Sequence, residues 1–294
     1  MASQNLKMEE KTLNKPYNTT QLSPDTTMER HVYHRDQFAH YLRWTHVLKR
    51  LRINQRVLDW GCGSGNMLEV MYRNRYKGAA YAGLDVRPLT ISKANEKYKD
   101  VPWAEFYTRD LCSKEGVHFK LHNQELGDYD SGCISNWDII TCFEVIEHIG
   151  KARADQFLYN ITQHAGPQTT ILLSTPIYDE AVGAADNHII NGEICEFEFN
   201  ELKLILERYF IIEEKYGTFA SQKDYKKLMN PEQRAFYDAV YPYFDSNILS
   251  NLMAPLFPEH SRNCLWVMKP KPSVINVDRF KRGHKVEELK NELD

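Results

Sequence analysis

The sequence contains none of the short patterns that most often mark a zinc site, a redox dithiol or a membrane span. Six cysteines are spread over 294 residues and no two form a C-x-x-C pair, so the usual zinc spacing and the redox motif are excluded. No run of 18 apolar residues occurs, and the polar amino terminus has no apolar stretch typical of a secretion signal. We therefore expect a cytoplasmic protein with free thiols and no membrane span.

The chain also lacks an excess of charge of either sign. Its 37 basic and 40 acidic residues leave a formal net charge of −3. This excludes a uniformly positive nucleic-acid-binding surface but allows a local basic patch. Between Arg30 and Arg56, basic residues outnumber the single acid, Asp36, by seven to one. The segment fits either a surface for a phosphate-bearing substrate or an ordinary solvated helix face.

Short apolar strands alternate with amphipathic helical patterns along most of the chain. Apolar residues make up 42% of the sequence, enough for a sizeable core. Two late strands are predicted near 210–212 and 264–268, after five strands whose ends fall at Asp59, Asp85, Asp110, Glu144 and Thr175. This alternation predicts an α/β protein with a Rossmann-like, mostly parallel seven-stranded sheet and helices on both faces.

We expect a single domain over residues 29–270. A mobile polar arm, residues 1–28, precedes it, and a charged tail, residues 271–294, follows it. The long interval between the third and fourth strands predicts an insertion near 112–136. A second insertion, over 217–262, is rich in aromatic residues and is interpreted as a substrate lid, a dimer surface or a small satellite core.

The most informative stretch is V-L-D-W-G-C-G-S-G-N, residues 57–66. Glycines after a first strand let a ligand approach the backbone closely. A dinucleotide fingerprint, G-x-G-x-x-G, needs a glycine where the chain has Asn66, and the Asp59 carboxylate would repel a pyrophosphate. These two residues speak against an NAD-dependent oxidoreductase, whereas an acidic strand end suits a ligand with an ammonium group.

The pattern D-x-G-x-G-x-G resembles motif I of the class I S-adenosylmethionine-dependent methyltransferases. The resemblance covers roughly residues 55–215. It implies that Asp85 accepts hydrogen bonds from the ribose hydroxyls of the methyl donor and that Asp110 and Leu111 take its adenine. In full, it assigns donor binding to Asp59, Gly61, Gly63, Gly65, Asp85, Asp110, Leu111 and Glu144.

Two carboxylates and an imidazole follow the fourth strand in T-C-F-E-V-I-E-H, residues 141–148. If a helical turn begins at Glu144, then Glu144, Glu147 and His148 are i, i+3 and i+4 and share one face. In the simpler interpretation, Glu144 lines the cofactor pocket and His148 starts a helix or acts as a general base. Glu144 and His148 are therefore the catalytic candidates.

A fourth residue supports a sharper hypothesis. His188 follows the fifth strand at the same predicted sheet edge. The set Glu144, Glu147, His148 and His188 would suit Mg²⁺ or Mn²⁺. E-x-x-E-H with a later histidine resembles two metal-dependent families, the small-RNA 3′-terminal 2′-O-methyltransferases and the ubiquinone-biosynthesis O-methyltransferases. Extra length at 191–196 departs from both and leaves the position of His188 open.

Both families methylate one oxygen of an adjacent pair, either a ribose diol or a catechol. The expected activity is therefore methyl transfer from S-adenosylmethionine to a hydroxyl of a small molecule or of a nucleic-acid end, with or without a metal. Two alternatives stay open: N-methylation without a metal, and a non-catalytic protein that binds S-adenosylmethionine for a partner. The sequence does not identify the acceptor, and a homodimer is compatible with it.

Overall fold

The computed structural model describes residues 35–122, 137–181, 183–220, 225–244 and 246–275. In chain order, the strands are β1 (Arg56–Trp60), β2 (Ala80–Asp85), β3 (Ala104–Thr108), β4 (Trp137–Phe143), β5 (Ala165–Pro176), β6 (Ile189–Ile190), β7 (Glu193–Ile194), β8 (Phe210–Ala220) and β9 (Ser261–Pro270). The helices are α1 (Arg35–Arg50), α2 (Asn66–Arg73), α3 (Pro88–Lys97), α4 (Ala154–Thr162), α5 (Phe199–Tyr209), α6 (Pro231–Val240) and α7 (Ser246–Met253). The predicted arm, most of the tail, and residues 123–136 lie outside the described residues.

Seven of these strands form one sheet in the order β3-β2-β1-β4-β5-β9-β8. The first five strands are parallel, and β9 is antiparallel to both of its neighbours. The prediction of a seven-stranded, mostly parallel sheet is confirmed. Because β8 runs parallel to β5, the end of β8 and the start of β9 lie at the carboxyl edge of the sheet, where the acidic strand ends also lie.

Both faces of the sheet are covered, which explains why its strands are continuous apolar runs. On one face, Leu58 packs in a cluster with Phe157 of α4 and Leu202 of α5. On the other face, Val57 packs in a cluster with Met71 of α2 and with Trp103. Adjacent strand residues point to opposite faces, so β1 contributes to both layers. The cysteines of the described residues are buried free thiols.

The aromatic insertion begins later than the sequence predicts. Strand β8 continues to Ala220, so residues 217–220 belong to the sheet. A side chain at Gly217 would collide with Ser261 and with the carbonyl of Ala254, so glycine lets the chain before β9 pack tightly on the strand. Beyond residue 225 the insertion is helical, with a small hydrophobic cluster of its own that contains Tyr237, Leu249 and Met253.

Candidate functional site

The glycine loop between β1 and α2 is fastened to the end of β2. The N–H groups of Gly61 and Cys62 both donate to the Leu84 carbonyl at 2.8 Å, and the Gly63 N–H donates to Asp85 Oδ2 at 3.0 Å. Gly61 and Gly63 have positive φ angles of 85° and 54°, which glycine adopts without strain.

The glycines of this loop have different surroundings. A side chain at Gly61 would collide with Val145, and one at Gly65 would come within 3 Å of Tyr98 and Phe106. A Cβ at Gly63 would instead have Arg87 Nη2 as its nearest neighbour, at 3.7 Å. Gly61 and Gly65 therefore permit tight packing, whereas Gly63 exposes backbone that a ligand can approach.

Asp59 lies beneath the glycine loop and is only 4% exposed. Its Oδ2 accepts a hydrogen bond from the Tyr81 hydroxyl at 2.6 Å, and its Oδ1 accepts one from Thr141 Oγ1 at 2.7 Å. Burial raises the pKa of Asp59 to about 6. Each oxygen of the Asp59 carboxylate thus accepts a hydrogen bond inside the protein. Its charge can attract the ammonium group of a ligand only at a distance, without direct contact.

Asp85 ends β2 with both oxygens engaged by Arg87. Oδ1 accepts from the Arg87 backbone N–H at 2.9 Å and from Nε at 3.0 Å, and Oδ2 accepts from Nη2 at 3.1 Å. Burial works to raise the pKa of Asp85, but the hydrogen bonds and charge of Arg87 outweigh it and lower the pKa. Asp85 is therefore a buried carboxylate whose pKa favours the ionised form, at the strand end where the resemblance expects the ribose hydroxyls.

The loop after β3 brings the predicted adenine residues to the same edge. Leu111 is buried. Asp110 is exposed and accepts from Arg153 Nη2 through both oxygens at 3.0 Å, and Oδ1 also accepts from the Cys112 N–H at 3.0 Å. An adenine amino group would therefore share Asp110 with Arg153.

Glu144 does not begin a helical turn, contrary to the expectation from its spacing. Its φ is 57°, in the left-handed region, and the short 3₁₀ helix that follows spans Ile146–His148. The Glu144 carboxylate forms an ion pair with Arg43 of α1 and accepts from Ser174 Oγ at 2.8 Å and from Asn263 Nδ2 at 2.8 Å. Glu144 is not part of the group of ligand atoms that contains Glu147 and His148, the two residues with which it was expected to share a helix face.

The pKa of Glu144 reflects this environment. Burial works to raise it, and the Arg43 guanidinium together with the Asn263 and Ser174 hydrogen bonds lowers it below the ordinary value. Arg43 itself is almost fully buried and was not assigned to Glu144 by the sequence. An ion pair between residues about a hundred positions apart leaves no local signal in a single sequence.

The other three predicted metal ligands do come together. One ligand atom from each of Glu147, His148 and His188 lies within 4.8 Å of the other two. The rings of His148 and His188 meet edge to face with their centroids 4.8 Å apart. Within the described part of the chain, this is the cluster of ligand-type side chains that could hold a metal ion.

Glu147 is the member of this group whose carboxylate is least well satisfied by hydrogen bonds. It is fully buried, and its Oε2 accepts from Thr175 Oγ1 at 2.9 Å. Its Oε1 has no hydrogen-bond partner among the described residues. Burial, and then the charge of Glu144, raises the pKa of Glu147 well above its ordinary value. A buried carboxylate oxygen without a partner is costly, and a divalent ion would satisfy it.

His148 and His188 are the two other possible metal ligands, and they differ in exposure to solvent. His148 is exposed, and burial of part of its ring followed by the charge of His188 lowers its pKa. His188 is buried, and its Nδ1 lies 2.7 Å from Glu196 Oε1. One carboxylate and two imidazoles suit a transition-metal ion such as Mn²⁺ or Fe²⁺ better than Mg²⁺, which prefers oxygen ligands, and three protein ligands leave positions for other oxygens. The residues present therefore fit a divalent ion.

Sequence reasoning missed Glu196. The extra length after His188 forms the hairpin of β6 and β7, which turns at Asn191 and Gly192 with φ angles of 53° and 84°. An Asn-Gly pair is a strong signal for this kind of turn. That dipeptide could have predicted the hairpin, and with it the return of the chain to His188.

The chain belongs to the methyltransferase domain family, whose model matches residues 33–231. The mitochondrial ubiquinone biosynthesis O-methyltransferase of Schizosaccharomyces pombe is 27% identical over 121 residues, which cover 41% of this chain and 38% of that protein. The small RNA 2′-O-methyltransferase of Arabidopsis thaliana is 27% identical over 139 residues, which cover 47% of this chain and 14% of that protein. The chain thus spans less than half the length of these curated relatives.

Solved structures share the fold. A chain of the complex between the Haloferax volcanii Trm112 methyltransferase activator and a methyltransferase matches with a TM-score of 0.50 at 15% identity. The match covers 79% of this chain and 89% of that chain. The class predicted from motif I, the class I S-adenosylmethionine-dependent methyltransferases, is confirmed by the family match and the sheet. No helix in the described ranges combines the length and apolar character needed to cross a bilayer.

Proposed function

We propose that this chain transfers the methyl group of S-adenosylmethionine to one oxygen of an acceptor that carries two adjacent hydroxyls, with a divalent ion held by Glu147, His148 and His188. The observation that carries the proposal is the cluster of their ligand atoms within 4.8 Å of one another. When bound, such an ion would act as a Lewis acid that lowers the pKa of the acceptor hydroxyl.

The arrangement of strands brings donor and acceptor groups together. The proposed donor residues Gly63 and Asp85 follow β1 and β2, and the proposed ligands follow β4 and β5. Strands β1 and β4 are neighbours, and Thr141 of β4 donates to Asp59 of β1 at 2.7 Å. Direct displacement at a methyl carbon depends mainly on alignment of the reacting atoms, and sites at one sheet edge support a proposal that the two substrates bind side by side.

Glu144 has a different part in this proposal from the one its spacing suggested. Because Arg43, Ser174 and Asn263 engage its carboxylate, we assign it to the wall of the cleft, where it fastens α1 over the sheet edge. The ion is assigned to the three remaining residues. His148, as the exposed member, lies closest to solvent and to an incoming acceptor.

The acceptor class rests on two observations of different kinds. The two curated relatives described above are both named as O-methyltransferases, which supports an oxygen acceptor. The insertion between β8 and β9 stands at the same sheet edge and exposes aromatic side chains, among them Phe236 and Tyr243. Such rings provide a surface for a planar acceptor, either a catechol or the terminal base beside a ribose diol.

The test uses isotopically labelled S-adenosylmethionine and two pairs of acceptors. One pair is an RNA oligonucleotide with a 3′-terminal diol and the same oligonucleotide with a 2′-deoxy end. The other pair is a catechol and its mono-methyl ether. We expect label in one diol and not in its matched control, loss of transfer in EDTA, and recovery with Mn²⁺. Transfer that is indifferent to EDTA would remove the metal from the proposal, and transfer to neither diol would remove the acceptor class.

Methyl transfer without a metal is the second candidate, and the exposed ring of His148 favours it. In that case His148 would act as the general base for an oxygen or nitrogen nucleophile. This candidate predicts full activity in EDTA and loss of activity in His148→Ala, while His188→Ala retains activity because His188 is buried against Glu196.

A further inference from the structure

The β6–β7 hairpin returns the chain to the residue that precedes it. Ile189 pairs with Ile194 and Ile190 pairs with Glu193. Just outside these pairs, the Cys195 N–H donates to the His188 carbonyl at 2.9 Å. The hairpin therefore fixes the backbone of residue 195 against that of residue 188 and places residue 196 beside the His188 ring.

Glu196 and His188 are hydrogen-bonded in the interior. Glu196 Oε1 lies 2.7 Å from His188 Nδ1, and their side chains are 1% and 4% exposed. The same oxygen accepts from the Ala185 N–H at 3.1 Å. A carboxylate oxygen that already accepts from Ala185 is suited to accept from His188 as well, which would place the proton on Nδ1 and the lone pair on Nε2. Nε2 is the nitrogen that remains to bind a cation.

Arg262 supplies the charge that balances Glu196. Its Nη2 lies 3.8 Å from Glu196 Oε2. The guanidinium is held in place because Nη1 donates to the Ile177 carbonyl at 2.9 Å and Nη2 donates to the Gly183 carbonyl at 3.0 Å. A buried carboxylate is tolerated when a cation stands beside it, so strand β9 contributes to the surroundings of His188 through Arg262.

We propose that Glu196 is a positioning residue that sets the tautomer and the ring orientation of His188, so that His188 Nε2 faces Glu147 and His148. The inference rests on the proposed metal function and deepens it. Carboxylates that hold the far nitrogen of a ligating histidine fix its orientation and increase its basicity. The extra length at 191–196, which interrupts the sequence pattern, supplies this carboxylate.

The first test measures Mn²⁺ binding by electron paramagnetic resonance, with S-adenosylhomocysteine present. Glu196→Gln removes the charge while keeping the size of the side chain. Glu193→Gln makes the same change at an exposed position of the same hairpin and is the matched control. We expect Mn²⁺ affinity to fall about 10-fold or more in Glu196→Gln and to stay at the wild-type value in Glu193→Gln. Wild-type affinity in Glu196→Gln would overturn the proposal.

The second test does not depend on a metal. Long-range ¹H–¹⁵N spectra of the imidazole ring report which nitrogen of His188 carries the proton. We expect Nδ1–H in the wild type and loss of this preference in Glu196→Ala. A wild-type ring protonated on Nε2 alone would overturn the proposal, even if Glu196→Ala fails to fold. If the wild type shows Nδ1–H but binds no Mn²⁺, the metal function fails while the positioning role of Glu196 stands.

Discussion

Arg43 of helix α1 forms an ion pair with Glu144 at the end of β4, and the Arg43 side chain is 3% exposed. The pair fastens the helix that precedes the sheet to the sheet edge at which the proposed donor-binding residues and metal ligands lie. Ser174 strengthens the link, because its hydroxyl donates to Glu144 and accepts from Arg43 Nη1 at 3.2 Å. Helix α1 therefore contacts the proposed site and is not only a cover for the core.

Replacement of Arg43 tests this link. Arg43→Met leaves the Glu144 carboxylate without its cation, and we expect the free energy of unfolding at neutral pH to fall by about 3 kcal/mol. Because Arg43 holds the pKa of Glu144 below 4.5, its contribution is present above that pH and is lost as the pH falls through the native pKa. Urea unfolding at several pH values measures the effect. In Arg43→Met/Glu144→Gln much of the loss should be recovered, and simple additivity of the two single variants would contradict the link.

Donor binding should depend on Gly63 and Asp85. A valine side chain at Gly63 would enter the open space in front of the loop, and Asp85→Ala removes the proposed acceptor for the ribose hydroxyls. We expect calorimetry to show micromolar binding of S-adenosylhomocysteine to the wild type and none to either variant. Asp100→Ala, at an exposed position after α3, is the control and should bind normally. Retained binding in both Gly63→Val and Asp85→Ala would refute the donor site.

The proposed ligands should act as one unit. Glu147→Ala, His148→Ala and His188→Ala should each abolish Mn²⁺ binding and reduce turnover by similar factors, because residues that act together are not additive. S-adenosylhomocysteine binding should survive in all three. His118→Ala changes an exposed histidine on another loop and should have no effect. The metal site is falsified if the three losses differ widely and His188→Ala remains active.

Asp59 should make stability depend on pH in an unusual direction. Burial raises its pKa from 3.8 in the unfolded chain to about 6 in the native protein. Between these values the native state holds the proton more tightly, so this group makes the protein less stable as the pH rises through the window. Asp59→Asn cannot ionise, so its stability relative to the wild type should increase by up to about 3 kcal/mol from pH 4 to pH 7. Thermal unfolding of both proteins across this range is the measurement, and a constant difference would count against the raised pKa.

Much of the fold can be predicted from local sequence patterns. Buried parallel strands are continuous apolar runs, and each of the first strands stops at an acid or a turn, so their order along the chain is readable. The spacing of Glu147 and His148 also places them together, since adjacent residues of a short helix after β4 reach the same sheet edge. The sequence therefore predicted the sheet, the glycine loop and two members of the proposed metal-binding cluster directly.

The rest depends on contacts between distant parts of the chain. Glu144 adopts a left-handed backbone, and its carboxylate binds Arg43 of helix α1 and Asn263 of strand β9, which are far from it along the chain. A helical count of i, i+3 and i+4 contains no information about such partners. Likewise, Glu196 contacts His188 because the hairpin between them turns the chain back. Residue spacing alone does not show this, and the segment looked only like added length.

The chain leaves the sheet at the end of β8 and returns to it at the start of β9, where Ala220 is paired with Ser261. The helical insertion is thus a cassette whose two ends are side by side. A longer, shorter or unrelated segment could replace this insertion without changing the order of the strands. The free-energy cost of closing a loop depends only weakly on the number of residues in it. If the insertion contacts the acceptor as proposed, that surface can therefore change in evolution independently of the proposed metal ligands.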